Sequence, residues 1–234
     1  VGDFGTSYYY NEPAMSVVLE RAPATLTLAC AALLISVVLG IPAGIVAAVK
    51  RNSVSDAVIR VLALLGQCMP AFWLGIMLIM LFAVKLGWMP TGGAEDGLRS
   101  LILPAFTLGV FSAATICRLL RSNLIEVLGK EYIDVAKAKG LPKSKIIGKH
   151  ALKNAMSSII TILGMQFASL LGGSVITEQV FAWPGVGRLV IQSITTSDFA
   201  VVECIVFLMA VIFVVINFIV DVLYCVINPR VRLQ

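Results

Sequence analysis

Residues 22–49 read Ala-Pro-Ala-Thr-Leu-Thr-Leu-Ala-Cys-Ala-Ala-Leu-Leu-Ile-Ser-Val-Val-Leu-Gly-Ile-Pro-Ala-Gly-Ile-Val-Ala-Ala-Val, with no charged side chain between Arg21 and Lys50. A helix rises about 1.5 Å per residue, so roughly 20 apolar residues cross the ~30 Å hydrocarbon core of a bilayer. A soluble surface helix of this length would show a charged face at 3.6-residue spacing. Here there is none, and the stretch is a membrane span. Four more apolar segments, at about 58–86, 98–120, 155–176 and 200–227, repeat the pattern. Only 13% of the 234 residues are charged and 59% are hydrophobic, against about 25% charged in soluble domains. The expected fold is therefore all-α and polytopic, with about five spans. Residues 1–21 form a polar and aromatic extracytoplasmic segment, and 22–234 form the membrane domain.

The formal charge of +5 does not mark a nucleic-acid binder, because the charge is sorted by loop. The stretches 50–60, 118–154 and 230–232 hold 14 of the 18 Lys and Arg residues. In a five-span topology all three fall on one side, which the positive-inside bias makes cytoplasmic. The C-terminus is then cytoplasmic and the N-terminus outside. A chain that starts outside without a signal peptide leads us to expect a further helix upstream of Val1. The five cysteines are scattered without a CxxC pair, and His150 is the only histidine. Neither a disulfide framework nor a metal site is expected, and the cysteines read as small helix-packing residues. Glu178 and Glu203, near the outer ends of the spans, are read as solvated.

Small residues recur at four-residue spacing: Ala32, Ser36, Gly40 and Gly44; Gly109, Ala113 and Cys117; Gly164, Ala168 and Gly172. Such stripes let helix backbones approach closely in lipid. They suit ordinary bundle packing, or a dimer or pathway surface. Pro42, Pro70 and Pro104 interrupt spanning segments, as hinges or as static kinks.

The most informative loop is 121–154, within which 131–154 reads Glu-Tyr-Ile-Asp-Val-Ala-Lys-Ala-Lys-Gly-Leu-Pro-Lys-Ser-Lys-Ile-Ile-Gly-Lys-His-Ala-Leu-Lys-Asn. Residues 131–139 favour helix. Gly140 suits the position just past a helix, and Pro142 can begin the next one. The expected picture is two short helices bent at a glycine on the membrane surface. By composition alone the unit serves equally well as a basic anchor on anionic lipid or as a knob for a cytoplasmic partner.

Asp134-Val135-Ala136, three residues and then Gly140 resemble the EAA signature of ABC-importer permeases. The departures from Glu-Ala-Ala, and His150-Ala-Leu-Lys153 in place of the Ile-x-Leu-Pro end, resemble the dipeptide/oligopeptide/nickel branch. So do Met69-Pro-Ala-Phe-Trp-Leu-Gly75, Phe181-Ala-Trp-Pro-Gly-Val-Gly187, Asn217, Asp221, Tyr224 and Asn228-Pro229-Arg230. Gly2-Asp-Phe-Gly5 is similar to the segment after the first helix of B-type members. The resemblance covers the whole chain and implies the type I importer permease fold, in the bacterial inner membrane. It implies that Asp134, Val135, Ala136, Lys137, Ala138, Lys139, Gly140, Leu141 and Pro142 form the coupling helix that docks an ATPase. Ala136 and Gly140 would there allow close approach, and Asp134, Lys137 and Lys139 would meet the ATPase's charges. In the outer loop 178–199, it implies that Phe181, Trp183, Pro184, Gly185 and Gly187 form a scoop near the pathway mouth and the solute-binding protein. Pro184-Gly185 is a turn signal and 186–195 suits a short amphipathic helix. An interfacial anchor is the plain alternative for Trp183.

The partners so implied are a second, homologous permease in a heterodimer, two cytoplasmic ATPases that bind ATP and magnesium, and an extracytoplasmic binding protein. No GxxxxGK[ST] loop occurs: Gly129-Lys130 is followed by Glu and Gly148-Lys149 by His, so the chain is expected to hydrolyse no ATP and to hold no cofactor or metal. Di- and oligopeptides are the leading solute, with nickel or another chelated metal and glutathione as alternatives. Asn217 and Asp221, four residues apart on one helix face, mark an intramembrane polar pair that reads as structural rather than as a proton relay. An ion-coupled secondary transporter is the rival of a different class. It calls for paired intramembrane charges and inverted repeats; the sequence shows one such acid and no clear repeat. A non-transport membrane scaffold is the other rival.

Overall fold

The computed structural model describes residues 4–227, without the side chains of Ser157, Ser158, Asp221 and 223–227. The expectations for Tyr224 and Asn228-Pro229-Arg230, and for the side chain of Asp221, therefore lie outside what is described. The chain is helical, and Thr6 opposite Pro13 is the one β pairing among the described residues. In order, the elements are α1 (Ala14–Val49), α2 (Val54–Cys68), α3 (Ala71–Leu78) continued by a π-helical turn (Ile79–Lys85), and α4 (Leu98–Leu128). Then follow α5 (Glu131–Ala138), α6 (Lys143–Lys145), a second π-helical turn (Ile146–Ala151) and α7 (Leu152–Gly173). The chain closes with α8 (Val175–Val180), α9 (Val186–Thr195) and α10 (Phe199–Ile227).

Among the described residues three helices are long and apolar enough to cross a membrane, and five spans result if each of two broken pairs counts as one. The expected span 58–86 is one of these pairs: it divides at Pro70, whose ring and missing N–H cannot continue α2. Pro42 and Pro104, by contrast, lie inside the unbroken α1 and α4. Neighbouring helices stabilise such positions in membrane bundles.

The main departure is at the start. The first span begins at Ala14 rather than near residue 22, so 14–21 are not part of a loop. Local polarity at Glu20 and Arg21 suggested a later start, but Ala14, Val17 and Val18 are buried against Val186, Leu189, Val201, Cys204 and Ile205. Tertiary packing thus overrides the local signal.

By contacts the chain divides into two compact units. The first comprises residues 4–35, 69–109 and 166–218; the second begins at Ser36–Cys68 and continues through Val110–Met165 and from Ile219 on. In the first unit Leu28, Ala29 and Ala32 of α1 pack with Ala105 and Leu108 of α4, Leu170 and Leu171 of α7, and Trp183. In the second, Ala48 joins Ile116, Leu120, Leu124, Ile133, Ile146, Ala155 and Ile159 in one core.

The small-residue stripes serve packing between α1 and α4. In the first unit a Cβ on Gly109 would stand 2.8 Å from the Ala32 carbonyl oxygen. In the second, one on Gly44 would stand 2.9 Å from the Cys117 carbonyl oxygen. Both neighbours are backbone and cannot swing aside. The third stripe is less uniform: Ala168 is buried, but Gly172 is exposed with nothing within 4 Å of a Cβ. The cysteines divide likewise, Cys117 and Cys204 buried and Cys30 and Cys68 exposed.

Gly44→Val should push α4 away from α1 and destabilise the protein by about 1–3 kcal/mol, the usual range for overpacking. Gly172→Val should be neutral by comparison. Thermal unfolding of the two variants in the same detergent checks both.

Candidate functional site

In the second unit the basic loop folds as the short helix α5, as expected, but beyond Pro142 α6 and a π-helical turn run on into α7 instead of forming a separate second helix. Helix α5 opens at Lys130 with extended backbone (φ −82°, ψ 145°), and Glu131 and Asp134 in its first turn face the positive end of the helix dipole. It ends in a Schellman motif: the Gly140 amide donates to the Lys137 carbonyl at 2.9 Å and the Leu141 amide to the Ala136 carbonyl at 3.3 Å. Gly140 has φ +74°, a left-handed conformation open to glycine at little cost. Nothing lies within 4 Å of a Cβ placed there, so the requirement is one of backbone angle and not of space within the chain.

The faces of α5 are distinct. Ile133 (0% exposed) and Ala136 (7%) are buried in the second unit's own core. This corrects the expectation that Ala136 offers room to a partner: the 3.6-residue period carries it onto the same face as Ile133, three residues before it. Tyr132, Asp134, Val135, Lys137, Ala138, Lys139 and Gly140 are exposed, Leu141 is half-buried and Pro142 exposed. Asp134 accepts from Lys137 Nζ at 2.7 Å, a solvent-exposed pair that adds little rigidity. The Asn154 side-chain amide donates to the Tyr132 hydroxyl at 2.8 Å, tying α5 to α7.

In the first turn of α2, Asp56 is fully buried, and Arg121 grips it with two bonds, Nε to Oδ1 at 2.7 Å and Nη2 to Oδ2 at 2.8 Å. Arg60 stands 3.4 Å from Oδ1, and the Asn52 amide donates to Oδ2 at 3.0 Å. The sequence reading passed over this cluster. Its local trace was an acid four residues before an arginine, a common surface pattern, and the decisive partner is 65 residues away.

In the first unit the turn at 181–187 is built around a carboxylate. Glu178 is fully buried, not solvated as its place near a span end suggested. Oε1 accepts from the Thr25 hydroxyl at 2.8 Å and the Ser174 hydroxyl at 2.9 Å, and Oε2 from the Arg188 amide at 3.0 Å. Thr25 in turn accepts the Val186 amide at 2.8 Å. Helix α9 starts at Gly185, which has no side chain to cap it. Its first amides need acceptors from elsewhere, and Thr25 and Glu178 supply them. Gly185 passes directly over Glu178, so a Cβ there would collide with Oε2. Trp183 is buried and donates Nε1–H to the Ala24 carbonyl at 2.9 Å. It is a packing residue of the first unit, which sets aside its reading as an interfacial anchor. Phe181 is buried too, and the Gly93 amide donates to its carbonyl at 2.8 Å. Arg188 Nη1 donates to the Ala182 carbonyl at 2.7 Å. Gly187 is buried, and a Cβ on it would stand 2.7 Å from the Val175 Cα. The five loop residues named from the sequence thus sit together, with Glu178 and Thr25 as the organising groups that sequence reasoning missed.

A second buried acid ties the N-terminal segment down. Asp198 accepts from the Ser7 hydroxyl and from the Tyr9 amide at 3.3 Å. Burial pushes its carboxyl up, but these hydrogen bonds outweigh burial and hold it below the usual carboxylate value. Of the intramembrane pair, the Asn217 side-chain amide donates to the Phe213 carbonyl one turn back, at 2.8 Å. This is a local helix contact, and no contact with Asp221 is described.

An apolar, all-helical chain whose described residues supply three to five candidate spans, and which holds out one capped, charged helix, has the build of a polytopic membrane protein. The family of binding-protein-dependent transport system inner membrane components matches residues 40–233, and the chain belongs to it. Glutathione transport system permease proteins GsiC are similar over nearly the whole chain. That of Escherichia coli K12 is 42% identical and that of Salmonella typhi 43%, each over 99% of this chain and 75% of the relative. Among solved structures, the inward-facing MetNI methionine ABC transporter has the same fold (TM-score 0.78, 19% identity, 92% of this chain and 97% of that one). So does an amino acid ABC transporter crystallised with histidines (TM-score 0.68, 18% identity, 92% and 94%). The protein is a multi-pass inner-membrane permease subunit of an ABC importer.

Glu178→Ala should orphan the Thr25 and Ser174 hydroxyls and the Arg188 amide, each at roughly 1–3 kcal/mol. Glu178→Gln, which keeps an acceptor for the amide, should cost less; thermal unfolding ranks the two. The Ser7–Asp198 link should hold in full above the ordinary carboxylate pKa and weaken as pH falls through the depressed folded-state value. In Asp198→Asn this acid-side loss of stability should disappear from a pH series of unfolding temperatures.

Proposed function

We propose that this permease passes short peptides, glutathione among them, from an extracytoplasmic binding protein to the cytoplasm. The observation that carries the solute class is the 42–43% identity to glutathione permeases across 99% of the chain. Family membership removes the grounds for the ion-coupled and scaffold readings. Nickel or another chelated metal stays within the same machinery as the second choice.

In this reading the loops 50–60 and 121–154 and the C-terminus face the cytoplasm, where their Lys and Arg residues are favoured. Helix α5 is the coupling helix. Its buried Ile133 and Ala136 fix it to the permease, and its exposed Val135, Ala138 and Lys139 are free for an ATPase cleft. A rigid cap at Gly140 lets force on α5 reach α7 rather than being lost in a loose loop. ATP and magnesium are bound by two partner ATPases. Their closure draws the coupling helices of this chain and of a second, homologous permease together. That motion favours the outward-open state over the inward-open one. The turn at Phe181–Gly187 lies at the outer mouth, held by Glu178.

The test is co-purification of the full-length permease with its ATPases, wild type against Gly140→Trp. The bulky residue, at a left-handed position costing about 1 kcal/mol for any side chain, should abolish ATPase association while membrane insertion stays normal. Full association of the variant would remove 131–142 from the docking surface. Failure of both proteins to bring down an ATPase would overturn the coupling mechanism.

A further inference from the structure

The first unit holds one polar feature that the coupling scheme leaves unused. Around the Pro184-Gly185 turn lies an open cleft of about 220 Å³, lined also by Tyr10, Arg21, Arg188 and Gln192. Two arginines, one on α1 and one on α9, thus line a single small space. Among the described residues neither arginine forms an ion pair. Arg188 spends Nη1 on the Ala182 carbonyl, and the rest of its planar fork has no partner there. Glu178 lies beneath the same turn, but its carboxylate is fully buried and already accepts three hydrogen bonds. Two cations against one inward-turned anion leave the cleft positive.

We infer that this cleft binds a carboxylate. A pair of guanidinium groups matches the two oxygens of a carboxylate with parallel, charge-assisted hydrogen bonds. The Tyr10 hydroxyl and the Gln192 amide add neutral donors at the rim. The size restricts the occupant. Pockets that enclose a whole drug-sized molecule run to about 300–1,000 Å³, so this one takes a single end or side chain. Two sources present that chemistry at the outer mouth: the C-terminal carboxylate of a peptide solute, and an Asp or Glu side chain of the docked binding protein. The inference rests on the importer reading for placing the cleft at that mouth. Its chemistry rests on Arg21 and Arg188 alone.

Full-length permease, assembled with its partner subunits in nanodiscs, is titrated with N-acetyl-triglycine and with the C-terminal amide of the same peptide. The pair differs in the carboxylate only. In a parallel arm the association of the purified binding protein is measured. Arg21→Ala is the main variant, because among the described residues it costs no hydrogen bond or ion pair; Arg188→Lys, which keeps the charge but not the fork, is the second.

If the solute supplies the group, the acid should bind and the amide should not, and Arg21→Ala should weaken the acid by about tenfold or more. If the binding protein supplies it, the peptides should not distinguish the variants. Its own affinity should then fall about tenfold in Arg21→Ala, less in Arg188→Lys, and more steeply with salt in the wild type. Equal binding by wild type and both variants in both arms overturns the inference. ATP-driven uptake by the wild-type assembly is scored separately: its absence would sink the importer reading, while the titration would still decide the cleft.

Discussion

Inside a bilayer the backbone finds no water to bond, so each span must satisfy its own amides and carbonyls and pack by shape. Most of the structure follows from that constraint. The long helices α1, α4 and α10 are the cheapest way to meet it. With lipid as apolar as the side chains, association between helices depends on close contact. Gly44 and Gly109 supply it by letting one backbone rest on the carbonyls of another. Bulk at either position would forfeit the dispersion contacts along that part of the α1–α4 seam.

The same constraint explains where the charged groups lie. The buried acids Asp56, Glu178 and Asp198 all stand at or beyond helix ends, and each gathers donors distant in sequence. Asp56 joins α2 to Arg121 of α4. Glu178 joins α8, α1 and the start of α9. Asp198 joins the N-terminal segment to the start of α10. A buried carboxylate with its donors in place is a directional fastener. Without them it would be costly, so each fixes its loop in one conformation.

The two loops are therefore held by different physics. Helix α5 rests on an apolar face and a glycine cap, and leaves its polar residues outward. The turn at 181–187 is held from within by a carboxylate, and Arg21 of α1 and Arg188 of α9 line the cleft beside it. An exposed helix gives a partner a fixed shape to meet. A cleft with uncommitted cations waits for an anion.

Much of this was legible in the sequence because it is local. Apolar run length gave the spans, the four-residue stripes marked faces for close helix packing without saying which helices meet, and Gly140 followed by Pro142 gave the end of α5. The short helix after Pro184-Gly185 was legible for the same reason. What the sequence by itself determined, then, is the class of fold, the packing stripes and the outline of both loops. These depend on neighbours within one or two helical turns. Only the tertiary structure decided that the first span begins at Ala14, that Ala136 faces inward, and that Glu178 and Asp56 are buried fasteners rather than solvated acids. Their partners, Thr25 and Arg121, lie 153 and 65 residues away along the chain. Burial of a charge depends on donors brought in by the fold, and no local pattern records them.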